Sequence, residues 1–330
     1  MKQVVLNRNL TAAPVAADFD VIDAPAPTCP KDGVLVKVKY ISLDPYIGHL
    51  LNKGHMGQTP PAVGEDKIPG AVVGEVIESQ ITGVKTGQHI HSMDGGWAEI
   101  VGLTQGQFRI VDPTKAPLES YIGVLGMPGL TAWAGVTKLA KVVEGDVFAV
   151  NAAAGPVGGT AGQIARMRGA KTIIGIAGTV EKCKMVEDVY GFDICVNYKT
   201  EDWQARYKAA APEGVTVHYE NVGSEQLAFA MQNLAPYGRV VLCGLAAHYH
   251  DPDPAMTMIG PILGKRASFH GLVVYDFYDR WDEFRNEIAP WVQSGKVTIT
   301  QDRVDGLDKA GGLLEKLMRG DNVGKCVVAL

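Results

Sequence analysis

Apolar and polar positions follow two different rhythms along this chain, and the change falls near residue 125. Before it, short runs such as VLVKVKY (34–40) and AVVGEVIES (71–79) are rich in β-branched residues and are separated by Pro, Gly and Asp clusters. This is the pattern of a mainly antiparallel, barrel-like β domain. After it, strand-length apolar runs alternate with stretches of helical period. Strands are predicted at 146–152, 172–177, 193–198, 215–221 and 238–245, with helices at 157–168, 180–190, 201–210 and 225–234 between them. A sixth strand at 267–274 and an amphipathic helix with Trp281, Phe284, Ile288 and Trp291 on one face complete the series. Such alternation specifies a doubly wound parallel sheet. The last roughly 35 residues end in the strand-like KCVVAL and are too few for a core of their own, so they are expected to return to the first domain. The expected segments are therefore 1–125, 126–294 and 295–330.

Size and charge narrow the picture. A chain of 330 residues exceeds what one core usually organises, and 46% apolar with 20% charged residues is ordinary for a globular protein. The formal charge of -5 and the lack of any Lys/Arg run argue against nucleic acid or an anionic membrane as partner and favour a small molecule. The amino terminus, MKQVVLNRNL, lacks the apolar stretch of a signal peptide, and no segment offers about 18 uncharged apolar residues for a membrane span. A cytoplasmic protein is expected. The five cysteines, Cys29, Cys183, Cys195, Cys243 and Cys326, are odd in number and widely spaced, which suits neither a disulfide framework nor a metal knuckle. They read as buried thiols, Cys243 in the run VVLCGL most clearly.

The strongest local signal is AAAGPVGGTAGQIA, from Ala152 to Ala165, between a predicted strand and a predicted helix. Ala153, Gly155 and Gly158 have the spacing of a dinucleotide fingerprint, with alanine at the first glycine position. Gly155 would let the backbone approach a pyrophosphate and Gly158 would let helix and strand pack closely. Pro156 suits the first helical position, and Val157 follows it into the first turn. The β/α domain is accordingly expected to be of the Rossmann type.

The choice between dinucleotides turns on the end of the second parallel strand, where an NAD site places Asp or Glu on the ribose hydroxyls. No carboxylate lies between Gly155 and Glu181. The strand ends instead in Gly178 and Thr179, with Lys182 in the next helical turn, offering room, a hydroxyl and a cation for a 2′-phosphate. Tyr198, followed by Lys199, could close the same pocket. NADPH is the expected cofactor.

Eight blocks, in order, resemble the zinc-independent branch of the medium-chain dehydrogenase/reductase superfamily, within its leukotriene hydroxydehydrogenase/prostaglandin reductase, alkenal double-bond reductase and curcumin reductase group. They are SLDPY (42–46), VLGMPGLTAW (124–133), the fingerprint, GIAGTVEKCK (175–184), GFDICVNYK (191–199), YENVG (219–223), CGLAAHYH (243–250) and GDNVGK (320–325). The resemblance implies a GroES-like catalytic domain built from both chain ends, a central NADPH domain and a homodimer. It also places Met127, Thr131, Asn221, Gly223, Cys243, Gly244 and Asn322 around the nicotinamide or phosphates, and it assigns Tyr46 and Tyr249 as the hydroxyls near the reacting carbonyl. The chain departs from the group after Tyr46, where Ile47-Gly48-His49-Leu50 replaces Met-Arg-Gly-Arg.

Zinc-dependent relatives hold their metal through Cys and a Gly-His-Glu segment, whereas here the matching stretches read Leu43-Asp44-Pro45-Tyr46 and Gly70-Ala71-Val72. His89 with His91, and His248 with His250, are the remaining pairs, without thiolates or carboxylates at metal spacing; no metal is expected. The resulting expectation is an NADPH-dependent oxidoreductase that saturates the carbon–carbon double bond of an enone or alkenal. Quinone reduction on the same fold, or a non-catalytic NADPH-binding module, are the alternatives.

Overall fold

Strand-forming runs punctuated by glycine and proline organise the first part of the chain. Strands β1 (Lys2–Leu6) and β2 (Phe19–Asp23) pair as an antiparallel ribbon. A second sheet is built on β3 (Gly33–Ser42), the longest strand, whose Val34, Val36, Val38 and Ile41 are almost fully buried. It pairs antiparallel with β4 (Val72–Ser79), which continues to β5 (His89–Ser92) and β7 (Phe108–Val111), while β6 (Ile100–Thr104) pairs with the other edge of β3 over Gly33–Lys37. Between β3 and β4 a helix not anticipated from the sequence, α1 (Pro45–Lys53), starts at Pro45 and buries Ile47, Leu50 and Leu51 on one face. The computed structural model describes residues 1–248 and 260–330.

A second unit covers Met127–Thr300. It opens with α2 (Met127–Trp133), continued by a π-helical turn over Ala134–Leu139. Strand β8 (Val147–Asn151), α3 (Pro156–Met167), β9 (Thr172–Ala177), α4 (Val180–Asp188) and β10 (Ile194–Asn197) follow. Then come α5 (Trp203–Ala210), β11 (Val215–Glu220), α6 (Ser224–Gln232), β12 (Leu234–Leu242), α7 (Gly260–Lys265), β13 (Ser268–Gly271) and α8 (Trp281–Gln293). The six strands are all parallel, in the order β10-β9-β8-β11-β12-β13. The order reverses between β8 and β11, and in such sheets the crevice beyond the carboxyl ends at that point is where ligands bind. Trp281, Phe284 and Ile288 of α8 are buried as their spacing indicated, with Trp291 half-buried.

The chain then returns to the first unit, which comprises Met1–Gly126 and Gln301–Leu330. Strand β14 (Gln301–Asp305) lies parallel to β15 (Lys325–Ala329), which runs antiparallel to β3 with Val327 opposite Ser42, and α9 (Ala310–Met318) connects them.

Two readings of the sequence need correction. A strand is expected at 238–245, but β12 already begins at Leu234 and ends at Leu242. The Pro-Tyr-Gly segment is taken up as a bulge: Val215 faces Leu234 while Val217 faces Arg239, and Tyr237 adopts φ 62°. Cys29 and Cys243 are also only part-buried as residues, although the Cys243 thiol itself is turned away from solvent. Cys243 lies just past the end of β12, at the open carboxyl edge rather than in the sheet interior.

Candidate functional site

The carboxyl edge of the parallel sheet holds most of the residues singled out above. Strand β8 ends at Asn151, and the turn that follows is made tight by Ala152, which adopts φ 49°. The left-handed residue thus precedes Ala153, the position at which the fingerprint reading had placed the first glycine. Gly155 is the N-cap of α3 and Pro156 its first residue; the cap has no side chain to bond the helix end, and the first turn carries no acid. The amides of Val157 and Gly158 belong to the first turn, where no intrahelical acceptor exists. A Cβ on Gly155 would meet only the Ala152 carbonyl, at 3.3 Å, whereas one on Gly158 would lie 2.6 Å from the same oxygen. Gly158 is therefore required for helix and strand to pack, and Gly155 leaves its outer side open. This helix end fits a pyrophosphate: unpaired N–H groups, a favourable dipole and no competing carboxylate.

Next along the edge, β9 ends at Ala177, and Gly178 and Thr179 lead into α4. Tyr198, just past β10, donates its N–H to Ala177 O at 3.0 Å, and its ring covers Gly178, where a Cβ would come within 3.1 Å. Tyr198 is 40% exposed and the Lys199 ammonium stands 5.9 Å from its ring centroid. Lys182 is half-buried in the first turn of α4. Gly178, Tyr198 and Lys199 thus border one place, Lys182 stands in the first turn of the helix that leaves it, and no carboxylate ends β9. Thr179 has another task than the one expected. Its Oγ1 caps α4 by accepting from Lys182 N at 3.2 Å, and its hydroxyl also bonds Glu181, holding that exposed carboxyl below its ordinary value together with the helix-end amide.

At the switch point stand residues that sequence reasoning passed over. Glu220, the last residue of β11, has a fully buried side chain. One carboxylate oxygen accepts from Asn151 Nδ2, from Val222 N at 2.6 Å and from Gly223 N at 2.7 Å; the other lies 2.8 Å from His218 Nε2. Burial pushes this carboxyl up, but the bonds from His218, Asn151 and Gly223 outweigh it and hold the group below its usual range. Asn221 donates its backbone N–H to Asn151 Oδ1 at 2.6 Å and its side-chain amide to Asn151 O at 3.0 Å. Gly223 adopts φ +89°, and a Cβ there would come within 2.8 Å of the His248 ring.

Cys243 and Gly244 donate their backbone N–H groups to Glu220 O at 2.9 and 3.1 Å. The Cys243 thiol is pushed up to about 12, first by loss of solvent and further by Glu220, against the opposing contact with Tyr219. Tyr219 donates its one hydroxyl proton to Thr131 O at 2.9 Å, and Thr131 Oγ1 donates to Met127 O at 2.7 Å, so both α2 residues stand on a fixed helix. Tyr249 and His250 lie outside the described residues.

In the first unit, Tyr46 is half-buried near the start of α1, packed against the core, with its ring 5.2 Å from that of His55. Desolvation and then His49 push His55 below its ordinary pKa. The SLDPY turn is held by a buried ion pair: Lys325 Nζ, at the start of β15, lies 3.0 Å from Asp44 Oδ1 and also donates to Leu43 O. Asn322 is buried and donates Nδ2 to Gly324 O at 2.8 Å, so its amide shapes the turn into β15.

Comparison with known proteins was decisive for the family. The profile described as "Zinc-binding dehydrogenase" matches residues 156–294, and that described as "N-terminal domain of oxidoreductase" matches residues 2–111. The NADP(+)-dependent 2-alkenal reductase of Nicotiana tabacum is 33% identical over 335 residues, covering 99% of this chain and 96% of the tobacco protein. The chain belongs to the medium-chain dehydrogenase/reductase superfamily, in its alkenal and curcumin reductase group. A further member, the NADPH-dependent curcumin reductase of Escherichia coli (strain K12), is 31% identical over 96% of this chain and 93% of its own. The crystal structure of CurA in complex with NADPH from Vibrio vulnificus superposes with a TM-score of 0.90 at 30% identity, covering 100% of this chain and 99% of that one.

The zinc named in one family description does not suit the residues here. The stretch Gly70-Ala71-Val72 is buried and carries no ligand atom in its side chains. Among the described residues no three or more His, Cys, Asp or Glu side chains gather as a metal would need.

Proposed function

We propose that this protein is an NADPH-dependent reductase of the carbon–carbon double bond in α,β-unsaturated aldehydes and ketones. The observation that carries the reading is the end-to-end relationship, at about one identity in three, to a 2-alkenal reductase and a curcumin reductase. Both named substrates conjugate a carbonyl with a double bond. NADPH, when bound, supplies a hydride for the β-carbon of such a substrate. The fit of the cofactor rests on the capless N-terminus of α3 for the pyrophosphate and on the acid-free border of Gly178, Lys182, Tyr198 and Lys199 for the 2′-phosphate. Thr179 contributes by capping α4 beside that border. Met127, Thr131, Asn221, Gly223, Cys243, Gly244 and Asn322 are the proposed remaining contacts.

As hydride reaches the β-carbon, negative charge grows on the carbonyl oxygen. We assign Tyr249 as the hydroxyl that donates a hydrogen bond to that oxygen, with Tyr46 as the second candidate. A phenol with an ordinary pKa near ~10 stays protonated at neutral pH and can donate throughout. Tyr249→Phe keeps the ring and removes the donor, so turnover with a good enone is expected to fall roughly 10- to 1000-fold with little change in NADPH affinity. Full activity of that variant, with turnover abolished in Tyr46→Phe, would transfer the role to Tyr46.

Zinc-independence belongs to the same proposal, supported by Gly70-Ala71-Val72. The homodimeric state rests on the family resemblance. A cytoplasmic location is proposed from the amino-terminal sequence; among the described residues no helix is long and apolar enough to cross a membrane.

A further inference from the structure

The sheet order reverses between β8 and β11, and the last residues of those two strands, Asn151 and Glu220, are bonded to each other there. Both are fully buried. Taking a carboxylate out of water is costly unless several donors replace its hydration. Glu220 has four: the Asn151 amide, the Val222 and Gly223 N–H groups and His218 Nε2. Its own carbonyl accepts from Cys243 and Gly244, and the carbonyls of Asn221 and Val222 accept from Ala246 and Ala247 at 3.0 Å each. The side chain therefore ties the end of β8 to the loop that follows β11, and the carbonyls of Glu220, Asn221 and Val222 bind the segment that follows β12. The loop it gathers bears Asn221 and the left-handed Gly223.

The α3 end and the border of Lys182 and Tyr198 stand on the β8–α3 and β9–α4 connections, whereas the side-chain bonds of Glu220 go to Asn151, His218 and the loop after β11. His218 Nδ1 has no hydrogen-bond partner among the described residues, so the one hydrogen bond its ring makes is the one to Glu220. Only a carboxylate accepts from all four donors at once, since an amide in its place offers a single acceptor oxygen.

We propose that Glu220, braced by His218 and Asn151, is the positioning residue of the nicotinamide half of the cofactor site, fixing the loop of Asn221 and Gly223 while leaving the adenosine half untouched. The inference rests on the reading that this edge binds NADPH. It separates two halves of one ligand, and that separation can be measured without turnover. Binding of 2′,5′-ADP, which carries the adenosine with its 2′- and 5′-phosphates but no nicotinamide, is compared by calorimetry with binding of NADPH, for the wild type and Glu220→Gln. Hydride transfer to an enone is followed in parallel.

The expected result is 2′,5′-ADP affinity within about twofold of wild type, weakened NADPH binding, and hydride transfer slower by about 10- to 100-fold, the scale of a misplacement near 1 Å. Equal weakening of both ligands would reduce Glu220 to a structural role and overturn the proposal, as would wild-type NADPH binding and transfer. If Glu220→Gln does not fold, Asn151→Ala, which removes the brace and the Oδ1 acceptor of Asn221 N–H, must show the same split; loss of both ligands together, or of neither, again overturns it. Failure of the reductase reading would appear separately, as a wild type that binds NADPH but reduces no enone.

Discussion

At the residue scale, the proposed discrimination between NADPH and NADH rests on one absence and one cation. No carboxylate ends β9, and Lys182 stands half-buried in the turn that follows. A charge-assisted bond to phosphate contributes about 1.5 to 3 kcal/mol, or about 10- to 150-fold in affinity. Lys182→Ala should therefore raise the apparent KM for NADPH by about that factor and leave NADH nearly unchanged; equal loss with both cofactors would remove Lys182 from the phosphate. Lys182 could be singled out in the sequence because charge and spacing both point at it. Thr179 was singled out for the same place, yet its hydroxyl is committed to the helix cap and to Glu181. Glu220 escaped notice for the opposite reason: a glutamate at a strand end reads as solvated until the structure shows four donors closing on it.

At the element scale, the β8–α3 turn distinguishes two glycines that look alike in a motif. Gly158→Ala forces a Cβ against the Ala152 carbonyl at 2.6 Å, and relief requires moving the helix off the strand. Overpacking of this kind costs about 1 to 3 kcal/mol, so a lower thermal midpoint is expected together with weakened NADPH binding. Gly155→Ala meets that oxygen only at 3.3 Å and keeps an ordinary φ of -85°, so it should fold normally and lose NADPH affinity alone. Equal melting losses in the two variants would contradict this division. The rhythm of strands and helices was readable because buried parallel strands are nearly continuous apolar runs. The start of β12 was not readable in this way, because a bulge absorbs its Pro-Tyr-Gly segment. In α1, the turn-like Asp44-Pro45 concealed a helix whose fixed start depends on Lys325, nearly three hundred residues away in sequence.

At the scale of the whole molecule, each unit brings chemistry that composition alone does not disclose. The first unit carries the proposed Tyr46 and Asn322, and its Gly70-Ala71-Val72, matched to the Gly-His-Glu segment of zinc-dependent relatives, has alanine and valine at the two ligand positions. The purified protein should contain no stoichiometric zinc and keep its activity after exhaustive chelation; one zinc per chain, with activity lost on removal and restored on return, would reverse that assignment. The second unit contributes the parallel edge on which the fingerprint, the phosphate border and the Glu220 network stand. The central claim, that hydride goes to the β-carbon of a conjugated carbonyl compound, is tested most directly with NADPH dideuterated at nicotinamide C4 and a 2-alkenal, the product being read by NMR. The account requires the saturated aldehyde with one deuterium on its β-carbon. An allylic alcohol with deuterium on the former carbonyl carbon, or a saturated product without deuterium, would contradict it.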